Sequence, residues 1–181
     1  SPDGKQLVWL CWNHPNMPWD GCELWALEFA ADGTAGATHK LAGSESESLF
    51  QPHFAPSAEL HIVSDRHEGW WNLHRVTPTG LHAVTHEQAE FGVPQWVFGQ
   101  STYAFDKHAQ LYTLFTQDGL WQLAHVDQSN GKLTVYDLPF THLEQLHCVK
   151  NRLVFLGGSA TQAMTLCSIA TDASDLQQHC C

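Results

Sequence analysis

The side chains able to do chemistry in this sequence are thirteen histidines, six cysteines and a few serines in glycine-rich surroundings. His82 and His86 form an H-x-x-x-H pair, which on a helix sets two imidazoles on one face for zinc. Leu81 to Thr85 alternates instead, and four residues of strand span about 13 Å, too far to share one ion. No metal is expected there. Gly99-Gln100-Ser101-Thr102-Tyr103 and Gly157-Gly158-Ser159-Ala160-Thr161 begin like the strained turn that exposes a nucleophilic serine. Neither ends in Gly or sits between a strand and a helix, as that turn requires. Without such a serine no His or Asp has a nucleophile to activate, so the chain itself is expected to carry no catalytic residue and no cofactor.

The cysteines are Cys11, Cys22, Cys148, Cys167, Cys180 and Cys181, with no C-x-x-C pair and a density far below a disulfide scaffold. Cys148 and Cys167 lie in apolar runs and read as buried thiols. Cys11 and Cys22 can meet at the base of a long hairpin, paired or free. His179-Cys180-Cys181 offers soft-metal ligand types without the spacing of a structural zinc site, and reads as a frayed end.

These residues must be positioned by elements, and the composition bounds what those elements form. A chain of 181 residues, 43% apolar and 11% aromatic, is enough for one ordinary folded domain and excludes disorder. The longest apolar run, Leu7 to Trp12, is six residues, which excludes a helical membrane span. Nineteen acids against eight bases, a formal charge of −11, would repel a phosphate backbone, so no nucleic acid and no membrane is expected as partner. The opening Ser1-Pro2-Asp3-Gly4 reads as a turn between strands, without an initiator Met or a signal peptide; the chain is expected to be a piece of something longer.

Self-similarity then sets the architecture. Trp-x-Leu recurs at Trp25-Ala26-Leu27, Trp71-Asn72-Leu73 and Trp121-Gln122-Leu123, with Met164-Thr165-Leu166 as a degraded fourth copy, at separations of 46, 50 and 43 residues. An apolar strand precedes each, at Leu7–Trp12, Leu60–Val63, Leu111–Phe115 and Leu153–Leu156, and turn signals precede three of these strands. Such a period, without sustained helical periodicity, marks one four-stranded sheet per repeat. The expected fold is all-β, a partial, open β-propeller of about three and a half blades, approximately 1–43, 44–93, 94–142 and 143–181. The first blade lacks its innermost strand, and the fourth ends in a weak strand over Asp175–Cys181. An open propeller exposes apolar blade faces, which predicts further chain or a homodimer through blade edges. Trp25, Trp71 and Trp121 are expected as core between blades. Glu45, Glu47 and the serines around them read as a solvated linker.

Phe54-Ala55-Pro56-Ser57-Ala58-Glu59-Leu60-His61-Ile62-Val63-Ser64-Asp65-Arg66 resembles the repeat F-S-P-D-G-x-L-x-F-V-S-D-R. With Trp12 to Gly21, Glu23-Leu24-Trp25 and Phe91 to Gly99, it resembles the N-terminal propeller of bacterial prolyl-oligopeptidase-type serine peptidases, the acylaminoacyl-peptidase and dipeptidyl-aminopeptidase group. The resemblance implies a peptidase with a C-terminal α/β-hydrolase domain as partner and a peptide as substrate; the cysteines, which show no pairing pattern, point to a cytoplasmic setting. The propeller would cap and gate the hydrolase site, selecting short or N-acylated peptides.

The first repeat spaces its strand and triplet by 18 residues where the others have 10 or 11, so a loop is inserted there. His14, Asn16, Met17, Trp19 and Asp20 are its candidate substrate-facing or interdomain residues. In one reading Trp19 packs on a substrate side chain or on the hydrolase domain while Asp20 binds an amine. In the other Trp19 fills a blade interface and Asp20-Gly21 is a turn, the favoured reading for Asp20. Asp65 and Arg66 of the S-D-R repeat read as structural ties rather than an anion site. Two rivals stand beside the peptidase: a stand-alone propeller scaffold for protein binding, and a polysaccharide-lyase propeller, which would need a histidine cluster at its channel.

Overall fold

The structure is a computed structural model that describes residues 1–179; the terminal cysteine pair, and with it the end of the strand expected over Asp175–Cys181, lies outside the described residues. Fifteen strands and no helix make up that part of the chain. They are β1 Gln6–Cys11, β2 Cys22–Phe29, β3 Ala35–Ser44, β4 Leu49–Phe54, β5 Leu60–His67, β6 Trp70–Thr77, β7 Gly80–Ala83, β8 Tyr103–Phe105, β9 Leu111–Gln117, β10 Leu120–Val126, β11 Leu133–Val135, β12 His142–Val149, β13 Arg152–Ser159, β14 Gln162–Ala170 and β15 Gln177–His179.

Each sheet is an antiparallel meander in chain order: β1-β2-β3, β4-β5-β6-β7, β8-β9-β10-β11 and β12-β13-β14-β15. None closes into a barrel, and the all-β partial-propeller fold expected from the repeat is what the chain adopts. Tight hairpins set the period. Glu68-Gly69 and Asp118-Gly119 join the middle strands of the second and third sheets with positive φ at both residues (58° and 81°, 53° and 79°). That is the turn whose twist matches paired strands, and glycine removes its steric cost.

The chain divides into two compact units, one of Ser1–Glu87 with Pro94–Trp96 and one of 88–93 with the chain from Val97 onward. The first has a core of Cys22, Leu24, Leu49, Leu60 and Ile62, flanked by Val8 and Leu10. In the second, Leu114, Leu123, Leu143, Leu146, Leu153 and Phe155 are all buried in one cluster.

The triplet in the first blade is out of phase with the others. The turns Ser1–Gly4, Ala55–Ala58 and Asp106–Ala109 are equivalent, each closed by a backbone bond from its fourth residue to its first (3.0, 2.8 and 3.0 Å). Counted from those turns, Trp9 pairs with Trp25 where Val63 pairs with Leu73 and Leu114 with Leu123. Trp25 therefore occupies the leucine position, and Glu23 stands where Trp71 and Trp121 stand. All three tryptophans are half-buried, whereas Leu73 and Leu123 are sealed. Trp71 stacks on Phe50 at 6.3 Å, Trp121 packs on the second unit's core, and the Trp25 indole donates to Glu23 at 2.9 Å.

Candidate functional site

The inserted loop joins β1 to β2 and is held by its own polar groups. The Met17 N–H donates to the Asp20 carboxylate at 2.8 Å, and the Asp20 N–H returns to the Met17 carbonyl at 2.9 Å. Asp20 thus closes its own turn. The Asn16 amide donates to the Glu45 carbonyl at 2.7 Å, tying the loop to the chain beyond β3. Gly21 sits so close to that carbonyl that an added Cβ would stand 2.1 Å from it. Glycine is required there by contact, not by φ.

Two features result. One is a cavity of about 230 Å³ lined by Cys11, Trp12, His14, Asn16, Glu23 and Glu45, among others. The Trp25 indole and the Lys40 ammonium at 3.1 Å hold the Glu23 carboxyl below the usual range, so Glu23 is ionised and its charge is paired with Lys40. The other is an indole pair, Trp19 against Trp96 at 4.4 Å and 49°. Trp96 remains 74% exposed, and its segment is anchored by Gln95, whose amide donates to the Leu49 carbonyl at 3.0 Å. Of the sequence candidates, His14 and Asn16 line the cavity, Met17 is exposed, and Trp19 carries the platform. Glu23, Glu45, Trp12 and Trp96 were missed. Nothing in a single strand marks Glu23; only the Cys11–Glu23 pairing puts it at the loop base.

The linker expectation is corrected at Glu47. It is 9% exposed, accepts the Ser64 hydroxyl at 2.6 Å, and holds Arg66 in a bidentate pair at 3.0 and 3.1 Å. Asp65 accepts the Ser48 N–H at 2.8 Å. Asp65 and Arg66 thus fasten the start of β4 to β5. Cys11 and Cys22 are free thiols. Because Cys11 pairs with Glu23, Cys22 points to the opposite face of the sheet, which rules out their pairing. Burial pushes the Cys22 thiol up to about 12. Cys148, expected buried, is only half-buried, while Cys167 is sealed.

His82 lies on β7 with Nε2 2.9 Å from the Thr79 hydroxyl. His86 lies beyond that strand, 6.0 Å from the ring of His67, which itself stacks on buried His74 at 5.3 Å. Among the described residues no group of three or more His, Cys, Asp or Glu is placed to hold a metal, and no helix is long and apolar enough to cross a membrane.

Repeated antiparallel meanders carrying a loop-borne cavity and aromatic platform are the build of a β-propeller chain. No protein-family model matches it, and no curated protein sequence does. Solved structures do. A puromycin hydrolase is 31% identical over 98% of this chain with a TM-score of 0.91, and a puromycin-hydrolyzing peptidase of Mycobacterium tuberculosis is 29% identical over the same share with 0.90. This chain covers 27% of each, about a quarter of their length. A prolyl endopeptidase, 15% identical over 97% of this chain and covered to 25%, shares the fold with a TM-score of 0.67. These structure neighbours are consistent with the propeller domain of a prolyl-oligopeptidase-family peptidase, the family its repeat resembles.

Proposed function

We propose that this chain is the non-catalytic propeller of a serine peptidase of the acylaminoacyl-peptidase or dipeptidyl-aminopeptidase type, where it caps and gates a C-terminal α/β-hydrolase domain and admits short or N-acylated peptides. One observation carries the reading: the 31% identity and TM-score of 0.91 to a puromycin hydrolase over 98% of the chain. The mechanism is steric. Blades supply a rigid frame, and the loop at 12–21 supplies the surface that meets substrate or hydrolase domain. Trp19 and Trp96 offer indole area at little entropic cost, and the cavity at the loop base adds polar groups to the same loop. Asp20, engaged in its turn, serves as a loop brace rather than an amine ligand. The four described cysteines, all free, support a reducing, cytoplasmic setting.

The test is fluorophosphonate labelling of the longer parent polypeptide beside this chain. Labelling of the parent alone supports a cap on a serine hydrolase. In the parent, Trp19→Ala and Trp96→Ala should keep the label yet change kcat/KM for short against long peptides. A folded parent that takes no label refutes the peptidase reading and leaves a binding propeller.

A further inference from the structure

The two indoles of the loop platform hang from three consecutive residues. Ser44, Glu45 and Ser46 are exposed, whereas Glu47, Ser48 and Leu49 are buried. On one side these three hold the loop and the Trp96 segment. The Glu47 carbonyl accepts the Cys22 N–H at 2.9 Å, where the loop enters β2. The Ser48 hydroxyl donates to the carbonyl of buried Pro18 at 3.4 Å. The Leu49 carbonyl accepts the Gln95 amide at 3.0 Å. Pro18 precedes Trp19 and Gln95 precedes Trp96, so each indole stands one residue from its anchored neighbour, and the anchors Ser48 and Leu49 are adjacent in the chain.

On the other side the same three residues are gripped by Ser64-Asp65-Arg66 of β5. Leu49 pairs with Ser64 in the β4–β5 ladder. The Ser48 N–H donates to the Asp65 carboxylate at 2.8 Å, and the Ser48 carbonyl accepts the Asp65 N–H at 3.3 Å. The Glu47 carboxylate takes both prongs of Arg66 and the Ser64 hydroxyl. Hydrogen bonds to ionised groups are roughly twice as strong as neutral ones, and the three bonds on the platform side are all neutral. The β5 grip is therefore the stiff half of the arrangement, and the platform follows it.

We propose that Asp65 and Arg66 are positioning residues for the Trp19–Trp96 pair: by fixing Glu47, Ser48 and Leu49 they set where the two indoles meet. Without the Arg66 fork the Glu47 carboxylate turns out to water, since an unpaired charge in a nearly closed site is costly. The backbone at Glu47 turns with it. That displaces both the carbonyl that holds Cys22 and the neighbouring hydroxyl that holds Pro18. The S-D-R segment thus does more than fasten two strands; it sets the geometry of an aromatic surface built from distant parts of the chain. That this surface selects peptides rests on the peptidase reading; the placement of the indoles does not.

Two indoles 4.4 Å apart and tilted by 49° couple their excitations and give a paired positive and negative band in far-ultraviolet circular dichroism. The spectrum of the 181-residue chain minus that of its Trp96→Phe variant isolates this couplet. Arg66→Ala should remove most of it, and Arg75→Ala, which breaks an exposed pair with Glu59, should leave it whole. A stabilising role alone would lower the melting temperature of Arg66→Ala without touching the couplet of the folded chain. Ser48→Ala and Gln95→Ala act on the platform side with the Glu47–Arg66 pair intact, so they test the same segment even if Arg66→Ala does not fold. Each should weaken the couplet. In the longer parent polypeptide, Arg66→Ala should shift kcat/KM for short against long peptides in the direction that Trp19→Ala does. A folded Arg66→Ala chain with the full couplet overturns the proposal, as do Ser48→Ala and Gln95→Ala if both keep it. A couplet lost as expected, with no shift in peptide preference from either Trp19→Ala or Arg66→Ala, upholds the placement and refutes the peptide-selecting role.

Discussion

His74 makes this fold acid-labile in a way that can be isolated. It is fully buried on β6; Nδ1 lies 2.9 Å from the Asn72 carbonyl, and Nε2 has no hydrogen-bond partner. The first ring nitrogen donates and the second holds a bare lone pair, the neutral form. Desolvation is the main cause that lowers its pKa from 6.5 to about 4; His67, stacked on it, and Arg66 push the same way, and Glu47 opposes them. The unfolded chain takes up a proton near 6.5, but the folded one does not until about 4. Stability is therefore complete above the unfolded value and declines as pH falls between the two. At 1.36 kcal/mol per unit, the loss on going from pH 7.5 to pH 5 is about 2 kcal/mol, and about 3 kcal/mol near pH 4. Urea unfolding followed by tryptophan fluorescence at both pH values measures it. His74→Phe fills the same space without a proton to gain, and its own cost, an unsatisfied Asn72 carbonyl, is the same at both pH values. The pH-dependent loss should shrink by about 2 kcal/mol in the variant. If wild type and variant lose equal stability between pH 7.5 and 5, His74 is not the group responsible and the argument fails.

Three more outcomes follow from contacts already described. Arg66→Ala strands the Glu47 carboxylate in a nearly closed site and should cost about 2 kcal/mol, less than a fully buried pair because Arg66 is partly exposed; Arg66→Lys should not restore it, since a single ammonium cannot replace the fork. Thermal denaturation reads both. Gly21→Ala drives a methyl into the Glu45 carbonyl and should lower stability by roughly 2–3 kcal/mol, measured by urea titration. In a thiol-reagent time course on native protein at pH 8, Cys11 should react and Cys22, 1% exposed and with its thiol pushed up to about 12, should not until the chain unfolds.

The architecture was legible because the repeat is local: turns and apolar runs recur in phase along the chain, and each marks a strand or a hairpin without help from elsewhere. What failed was whatever depends on register. Trp25 looked equivalent to Trp71 and Trp121 because the triplet matched, but the turn at Ser1–Gly4 sets the count and moves it two positions. Glu47 looked like a solvated linker because it stands among serines; its role exists only once Arg66, nineteen residues on, folds back to it. Whether Cys11 and Cys22 meet at the hairpin base was open in the sequence, and one residue of pairing puts them on opposite faces. The loop at 13–21 was visible as an insertion, but its cavity was not, since Glu23 enters it from β2 and Glu45 from the chain beyond β3.

The twice-bulged β3 also bears on what the rim of the first sheet can take on. Strand addition needs a straight run of unpaired backbone groups to copy. Here the outward side of the first sheet is kinked at Leu41 and again near Gly36, so it offers a newcomer no template. Straightening β3, by deleting Leu41 for example, would expose such a run and should make concentrated protein prone to sheet-to-sheet aggregation.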